Sequence, residues 1–438
     1  MTERLPTTPP TGMRDVLPDE VELRDAAAQT ILRVYRSYGF RRIETPALEN
    51  LKLLTSGTGG ENEKLIFKVL KRGQELKAAL ERGDELADLG LRFDLTVPLA
   101  RYYAQNHARL PNPLKAIQIG PVWRAERPQR GRYRQFTQCD IDVLGLGDPV
   151  VEVELILATS EALAALGLAD VIVRINDRRI LGGIARACGF GEARQGAFFI
   201  SFDKLDKVGA GGVLQELRET GHDPEAVDRF ASLLDTLDPA SATLESVLAA
   251  IGGAVSAEIA SSAAALRAIV DAVSGALPSG SSVRFDPTLV RGMGYYTGPI
   301  FEIAAGGYPA SIAGGGRYDR MVGHLLGRDV PASGFSIGFE RLIAILTERP
   351  APVPDVAAAA NARIALVVDD PERDLAGPVA VAQHLRREGH LVSLEVRRRN
   401  WKKQAEELLA HGFDGWVRYN DGEPWRVRSL ARPDGDTR

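Results

Sequence analysis

Two strand-like runs joined by an arginine-rich segment are the feature of this 438-residue sequence that most restricts its fold. Residues 114–126, LKAIQIGPVWRAE, and residues 134–145, RQFTQCDIDVLG, alternate along the chain with period 2. Such a pair with a short connection is typical of an antiparallel hairpin. A sheet made of hairpins is mainly antiparallel, and the sequence contains no GxxxxGK[ST] phosphate loop. We therefore predict an α+β fold with an antiparallel sheet packed on helices, and exclude Rossmann and P-loop architectures.

Changes of pattern divide the chain into five segments. Strand patterns dominate residues 1–177 and return in residues 277–350, so these two parts are expected to build one domain. Residues 178–276 are rich in alanine and helical in pattern, which indicates a helical insertion. Residues 351–361 have the composition of a linker. Residues 362–438 follow a βαβαβ pattern, typical of a small α/β domain.

The composition is that of an ordinary globular protein, with 45% hydrophobic and 26% charged residues and a formal net charge of −4. Any contact with nucleic acid must therefore come from local basic patches. Cys139 and Cys188 are too few for a disulfide framework or a cysteine-based zinc site. The sequence has no apolar run near the roughly 18 residues of a membrane span. Residues 1–15 lack the apolar core of a signal peptide, so we predict a soluble, cytoplasmic protein.

The connection of the hairpin contains five arginines within residues 124–134. A guanidinium is a two-pronged donor that suits phosphate oxygens and stays charged at any working pH. Period-2 alternation places Gln138, Asp140 and Asp142 on one face of the second strand. Such a hairpin can bind a molecule that carries both phosphate and ammonium groups. A solvated hairpin with surface salt bridges explains the same residues equally well.

Three further segments contain candidate binding residues. Arg291 precedes a glycine-rich stretch and the pair Tyr295 and Tyr296, of which at most one would line a pocket if the segment is extended. The three glycines of residues 313–319, AGGGRYD, allow backbone to approach a ligand closely, or simply form a turn. Arg341 lies in a predicted strand-to-helix junction, where an arginine is also common as a surface residue.

Asp94 and Thr96 are predicted on one face of a strand, just before a helix that Pro98 helps to start. An aspartate at a helix entrance is also a common N-cap, so both interpretations of Asp94 stay open. Residues 150–167 are predicted to form an amphipathic helix, acidic at its start and rich in alanine at its end.

Together these segments resemble the class II aminoacyl-tRNA synthetases, and within them the histidyl-tRNA synthetase family. The resemblance covers the whole chain. The matching segments are TGMRDVLP at 11–18, GFRRIETPALEN (motif 1) at 39–50, GPVWRAERPQRGRYRQFTQ (motif 2) at 120–138, RGMGYYTGPIFE at 291–302, GGGRYD at 314–319 and GFSIGFERL (motif 3) at 334–342. VRINDRRIL at 173–181 and FDKLDKVG at 202–209 are similar to segments that flank and lie within the insertion of the eukaryotic-like branch.

The resemblance implies an enzyme that activates histidine with ATP and transfers it to tRNA(His). ATP would be a substrate accompanied by Mg²⁺, with no metal bound by protein ligands and no tightly held cofactor. It implies catalytic roles for Arg124 and Arg291, and ATP contacts for Arg124, Glu126, Arg132 and Arg341. It also implies histidine contacts for Asp94, Thr96, Gln138, Asp142, Arg291, Tyr295 and Tyr296. Motif 1 implies a homodimer, and residues 362–438 an anticodon-binding domain.

Two departures from the family pattern are present. Position 294 is glycine where many members carry an acid, and the final strand, EPWRVRSL, matches loosely. Two alternatives follow. One is a regulatory paralogue such as the ATP phosphoribosyltransferase regulatory subunit, and the other a related enzyme that acylates something other than tRNA. Regulatory paralogues tend to lose catalytic arginines. This chain contains Arg124, Arg291 and Arg341, which favours the ligase over the regulatory paralogue.

Overall fold

The computed structural model describes residues 5–56, 62–128, 133–291, 295–308, 310–348, 362–419 and 425–430. The linker expected at 351–361 lies outside these residues, as do Arg132 and Gly294. The strands are β1 Arg41–Arg42, β2 Leu48–Asn50, β3 Lys68–Leu70, β4 Ala87–Leu91, β5 Leu114–Trp123, β6 Gln135–Leu144, β7 Val171–Asp177, β8 Ser282–Phe285, β9 Pro299–Ala305, β10 Ser311–Arg317, β11 Ala332–Gly338, β12 Arg363–Val368, β13 Leu391–Val396, β14 Gly415–Arg418 and β15 Arg428–Ser429. The α-helices are α1 Pro18–Ser37, α2 Leu51–Thr55, α3 Gly73–Arg82, α4 Thr96–Asn106, α5 Val150–Ala165, α6 Arg178–Cys188, α7 Glu192–Phe202, α8 Leu205–Glu219, α9 Pro224–Leu233, α10 Leu244–Ile251, α11 Ala257–Ser274, α12 Arg320–Leu326, α13 Phe339–Glu348, α14 Ala376–Arg387 and α15 Trp401–Ala410.

The largest sheet has eight strands in the order β1-β5-β6-β11-β10-β9-β7-β8. The five central pairings are antiparallel, while the outer pairs β1–β5 and β7–β8 are parallel. The predicted hairpin is present as β5 and β6, which pair from Leu114 opposite Leu144 to Trp123 opposite Gln135. This antiparallel-rich sheet flanked by helices confirms the predicted fold class. A separate three-stranded sheet has the order β2-β4-β3.

Strand β6 has two different faces, and this places the candidate site. The odd-numbered residues Cys139, Ile141 and Val143 are fully buried in the main hydrophobic core. The even-numbered Asp140 and Asp142 are also buried, but they lie on the opposite face. The period-2 pattern of this strand therefore separates core from site.

Helix α5 packs in the core rather than at the surface. The prediction of an amphipathic helix was wrong, because thirteen of its sixteen residues are buried, on every side of the helix. Two of these residues are glutamates. Glu152 pairs with Arg317, and Glu154 pairs with Lys115 and Arg386. These ion pairs allow the two glutamates to lie in a helix that is buried on every side.

The six helices α6 to α11 lie between β7 and β8 in the sequence, with no strand among residues 178–276, all of which are described. Phe190, Phe198, Phe202 and Phe230 form a fully packed aromatic cluster there, with ring centroids 4.3–6.3 Å apart. Thus the helical segment has a core of its own aromatic side chains, continuous with the main core.

The last sheet has the order β13-β12-β14-β15, with the first three strands parallel. It contacts the rest of the protein through buried polar groups. Lys115 of β5 donates to Ser393 Oγ at 2.6 Å, and the Leu394 N–H donates to Glu154 at 3.0 Å. Helix α5 therefore connects the large sheet with this C-terminal sheet.

Candidate active site

A pocket of about 270 Å³ opens on the face of the large sheet that carries Asp140 and Asp142. Strands β6, β10 and β11 form its floor, and the start of α4 and residues 295 and 296 form its walls. Nine of the eleven residues expected at the site line it: Asp94, Thr96, Arg124, Gln138, Asp142, Arg291, Tyr295, Tyr296 and Arg341. Glu126 lines an adjoining pocket with Arg124 and Arg341. Arg132 lies outside the described residues.

A glycine opposite Asp142 makes space for its side chain. In the β6–β11 register Gly334 lies opposite Asp142, and Gly338 opposite Gln138. A Cβ atom at Gly334 would lie 1.9 Å from Asp142 Oδ1, far inside van der Waals contact. Asp142 can therefore point into the pocket because position 334 has no side chain.

Asp142 is fixed on one side and unpaired on the other. Tyr318 donates its hydroxyl hydrogen to Asp142 Oδ1 at 2.6 Å, whereas Oδ2 is buried without a partner in the described part of the chain. Burial raises the pKa of Asp142 to about 7, although the hydrogen bond from Tyr318 acts in the opposite direction. A hydrogen-bond donor that enters the pocket would satisfy Oδ2.

Two further acceptors near Asp142 are also unpaired. Asp140 Oδ1 and Gln138 Oε1 are buried and have no hydrogen-bond partner among the described residues. Burial and, next, the neighbouring Asp142 carboxylate raise the pKa of Asp140 well above its usual range. The arrangement is therefore suited to a ligand rich in donors or positively charged.

Asp94 lies next to Leu95, the N-cap residue of α4, and contacts both the helix start and the pocket. Its Oδ1 accepts from the Val97 N–H at 3.0 Å at the start of α4, and its side chain also lines the pocket. Burial raises the pKa of Asp94, against the Val97 hydrogen bond and the charge of Arg124. Thr96 is the first residue of α4 and Asp94 lies between β4 and α4, so the prediction that both lie on a strand was wrong.

Arg124 lies immediately after β5 and is held by two contacts. Its Nε donates to the Phe93 carbonyl at 3.0 Å, and its guanidinium lies 5.1 Å from the centroid of the Phe136 ring. Arg341, in the first turn of α13, donates from Nη1 to the Ser311 carbonyl at 2.5 Å. Both cations are therefore positioned by neighbouring backbone before any ligand binds.

Arg291 lies against the glycine-rich strand β10. It forms an ion pair with Glu302 of β9, and a Cβ atom at Gly314 would lie 2.2 Å from its Cζ. Burial disfavours its charge, but Glu302 together with Tyr296 and Tyr295 outweighs burial and raises the pKa of the guanidinium. The glycine thus allows a half-buried cation to approach the strand closely.

The two adjacent tyrosines both line the pocket, so the expectation that at most one would do so was wrong. Tyr295 and Tyr296 precede β9 in non-strand backbone, where side chains do not alternate. Their ring centroids are 4.4 Å apart, and their hydroxyl oxygens 3.4 Å apart.

Asp140 and Tyr318 line the pocket but were not among the expected site residues. Alternation on β6 already placed Asp140 beside Asp142, and Tyr318 belongs to the quoted segment GGGRYD. The hydrogen bond between Tyr318 and Asp142 joins positions 176 residues apart, so the pairing could be found only in the folded protein.

The N-terminal segment TGMRDVLP contacts the motif 3-like segment beside the pocket. Arg14 donates to Glu340 at 3.3 Å, and Arg24 of α1 donates to both oxygens of the same carboxylate at 2.7 and 2.8 Å. The Thr137 N–H donates to Glu340 at 3.1 Å. This network fixes the start of α13, and therefore Arg341, relative to β6.

Two features are absent from the described residues. No helix there is long and apolar enough to cross a membrane. In the same residues no three His, Cys, Asp or Glu side chains are grouped as a metal site would need.

Comparisons with known proteins agree with the geometry of the pocket. The family model for histidyl-tRNA synthetase matches residues 12–342. A histidine–tRNA ligase from Leifsonia xyli subsp. xyli is 47% identical, over 99% of this chain and 96% of the relative. A probable histidine–tRNA ligase from Tropheryma whipplei is 40% identical, over 98% of this chain and 97% of the relative. The crystal structure of histidyl-tRNA synthetase from Nostoc sp. PCC 7120 superposes with a TM-score of 0.66 at 28% identity, covering 94% of this chain and 91% of that one. The family match, the relatives and the pocket lead to one conclusion: the chain belongs to the histidyl-tRNA synthetase family.

Proposed function

We propose that this protein is a histidine–tRNA ligase that acts in two steps. In the first, a carboxylate oxygen of histidine attacks the α-phosphorus of ATP, the bond from that phosphorus to the bridging oxygen breaks, and pyrophosphate leaves. In the second, a hydroxyl of the terminal ribose of tRNA(His) attacks the carbonyl carbon of histidyl-adenylate and AMP leaves. The names of the relatives support this activity.

One observation carries the proposal. The pocket combines three arginines with three buried acceptor atoms that have no partner in the described residues: Gln138 Oε1, Asp140 Oδ1 and Asp142 Oδ2. An amino acid joined to a nucleotide has both kinds of complementary group, namely ammonium and N–H donors at one end and phosphate oxygens at the other. A ligand without one of these ends would leave buried groups unpaired, at a cost of about 1–3 kcal/mol each.

The arginines are proposed to act on the phosphates. Arg124 and Arg291 would bind the α-phosphate and the histidine carboxylate, where charge accumulates as the new bond forms. Arg341 would hold the triphosphate, and Glu126, which lines an adjoining pocket together with Arg341, would contact the adenine end of ATP. Arg132 is proposed near the γ-phosphate from the family resemblance alone. Mg²⁺ would enter with the phosphate oxygens of ATP and neutralise part of their charge.

The acidic end is proposed to recognise histidine. Asp94, Thr96 and Gln138 would accept hydrogen bonds from the α-ammonium group. Asp142 Oδ2 would accept from one imidazole N–H, and the hydroxyl of Tyr296, beside Tyr295, would meet the other ring nitrogen. A site that pairs both ring nitrogens discriminates strongly against amino acids that lack them.

The C-terminal domain is proposed to bind the anticodon. Arg399, Lys402 and Lys403 are exposed beside Trp401, whose ring lies 4.3 Å from that of Trp416. Exposed cations next to aromatic rings suit phosphate contact and base stacking. We propose a cytoplasmic location because a tRNA ligase serves translation.

The test is ATP–pyrophosphate exchange with each of the twenty amino acids, followed by transfer to total tRNA. We expect exchange with histidine alone, without tRNA, and then charging of tRNA(His). Folded protein without histidine-dependent exchange would instead favour the regulatory paralogue. Exchange without charging of tRNA would favour an enzyme that acylates another acceptor.

A further inference from the structure

Two family-like segments of the sequence have no role in the function proposed above. They are VRINDRRIL at 173–181, which spans the end of β7 and the start of α6, and FDKLDKVG at 202–209, in the helical segment. In the fold they meet: Nη2 of Arg174 lies 3.2 Å from Oδ2 of Asp206. The place where they meet adjoins Arg291.

A row of paired residues across the sheet connects Arg174 with Arg291. Arg174 of β7 lies directly opposite Glu302 of β9, and Glu302 lies directly opposite Gly314 of β10, against which the Arg291 guanidinium rests. Glu302 Oε1 is 3.4 Å from Arg174 Nη1, while its Oε2 pairs with Arg291. One carboxylate is therefore shared by two guanidinium groups.

Arg174 is held more firmly than a surface arginine. Its side chain is 14% exposed, and its Nε donates at 2.5 Å to Oδ2 of Asp286, which is fully buried. The other oxygen of Asp286 accepts from the Thr288 N–H at 2.9 Å and from the Thr288 hydroxyl at 2.7 Å. Because Asp286 is fixed, the direction of Arg174 is fixed as well.

From this geometry we propose that Arg174 is a positioning residue for the activation step, acting on Arg291 through Glu302. By holding one oxygen of Glu302, Arg174 prevents that carboxylate from turning fully onto Arg291. The Arg291 guanidinium then keeps donors directed at the pocket. Asp206 extends the row to the helical segment, so docking of that segment contributes to the position of Arg291. This inference rests on the proposed function of Arg291.

The decisive variant is Arg174→Gln, tested by histidine-dependent ATP–pyrophosphate exchange. Glu302 should then pair with Arg291 alone, and we expect kcat to fall at least about tenfold with the ATP KM changed less than about threefold. In an Arg291→Ala background the same substitution should have little further effect, because two residues that act as one unit are not additive. The proposal would be overturned if Arg174→Gln lowered kcat by the same factor in both backgrounds. It would also be overturned if the substitution raised the ATP KM and left kcat unchanged.

A milder variant keeps the test valid if Arg174→Gln does not fold. Asp206 is 61% exposed, and Asp206→Asn should lower kcat by about two- to fivefold, the range of an exposed ion pair. Asp228→Asn is the matched control, since Asp228 pairs with Arg218 at 2.9 Å on the same helical segment, with both side chains exposed. We expect the control to leave exchange unchanged. Equal activity of the two variants would contradict a role for Asp206, and wild-type protein without exchange would contradict the proposed function instead.

Discussion

Tyr318 donates a hydrogen bond to one carboxylate oxygen of Asp142, and the other oxygen of Asp142 is buried without a partner in the part of the chain that the structure describes. The bond of 2.6 Å fixes the direction of the carboxylate, and the missing side chain at Gly334 gives it space. The unpaired oxygen is therefore presented to the pocket in a set direction, as recognition of a ring N–H requires.

Replacing Asp142 by asparagine should impair histidine binding far more than ATP binding. The amide oxygen can still accept from Tyr318, but an NH₂ group then faces the pocket where an acceptor is needed. Mispairing a buried group costs about 1–3 kcal/mol, and loss of a charge-assisted hydrogen bond puts the cost at the top of that range, so the histidine KM should rise at least about tenfold. Steady-state exchange, with each substrate varied in turn, measures both KM values.

The alternative role for Asp142 is an ion pair that stabilises the arginine-rich connection. Among the described residues Asp142 accepts from Tyr318 through Oδ1, and its Oδ2 has no partner. If the ion-pair role were correct, Asp142→Asn would raise the KM for ATP and for histidine alike and would lower the melting temperature. An equal rise in both KM values would show that the imidazole contact is wrongly assigned.

The acidity of Asp142 predicts a pH dependence. Its pKa is raised to about 7 in the free protein, so the carboxylate that should accept from imidazole is largely protonated below that pH. We expect kcat/KM for histidine to rise as pH increases through about 7, since this ratio reports groups of the free enzyme. Asp142→Asn should remove this inflection. The inflection from the imidazole of the substrate, whose pKa is about 6.5, should remain. An unchanged profile would exclude Asp142 as its source.

The raised pKa of Asp142 also affects how the stability of the folded protein depends on pH. The direction is opposite to that for a salt-bridged aspartate, whose pKa is lowered. Between the ordinary pKa of 3.8 and about 7 the folded protein holds a proton that the unfolded chain has released. Ligand-free stability should therefore fall as pH rises through this window. Asp142→Asn should show a smaller fall in melting temperature between pH 5 and pH 8.

Period-2 patterns of the sequence predicted the hairpin and the two faces of β6 correctly, because alternation follows directly from strand geometry. The same rule failed for Tyr295 and Tyr296, which lie in irregular backbone just before β9 and both line the pocket. Thr96 was misplaced for a related reason, since the helix starts at Thr96 itself and not at a later residue.

Contacts between segments that are distant in the sequence could not be predicted from sequence patterns. Helix α5 has acidic residues that suggest a solvated face, yet Glu152 and Glu154 are buried because Arg317, Lys115 and Arg386 pair with them. The sharing of Glu302 by two arginines likewise depends on the pairing of β7 with β9, which are separated in the sequence by the helical segment and β8.

Arg291→Ala should lower the rate of histidine activation by at least about 100-fold, the loss expected for a preorganised charge donor at the reacting centre. ATP binding should change only several-fold, because Arg124 and Arg341 also line the pocket. Pre-steady-state formation of the adenylate separates the two quantities. If kcat is unaltered while KM rises, Arg291 serves binding of the ground state instead.

Two neighbouring glycines should respond differently to alanine. At Gly314 the new Cβ would meet the Arg291 guanidinium, with Cζ at 2.2 Å, and this flexible side-chain end can move aside. At Gly315 it would meet the backbone oxygen of Gly334 at 2.0 Å, which cannot move without disturbing the β10–β11 pairing. Gly314→Ala should therefore lower activation by up to about 100-fold with little change in melting temperature, and Gly315→Ala should lower the melting temperature itself. Equal melting temperatures for the two variants would contradict this distinction.

The resemblance of residues 39–50 to motif 1 predicts a homodimer, and exposed side chains in and next to this segment indicate where substitution should disrupt it. Leu48 of β2 and Leu89 of β4 lie on the same face of the three-stranded sheet and are 43% and 37% exposed. A two-fold interface uses the same patch on both subunits, so each substitution acts twice per dimer. Leu48→Asp should therefore shift the protein towards monomer and lower activity, as measured by sedimentation equilibrium and exchange on the same samples. Leu409→Asp is the control, because Leu409 is similarly exposed, at 44%, on α15 and outside residues 39–50. An active wild-type monomer at micromolar concentration would contradict the dimer, and a Leu48→Asp variant that stays dimeric would exclude this face as the interface.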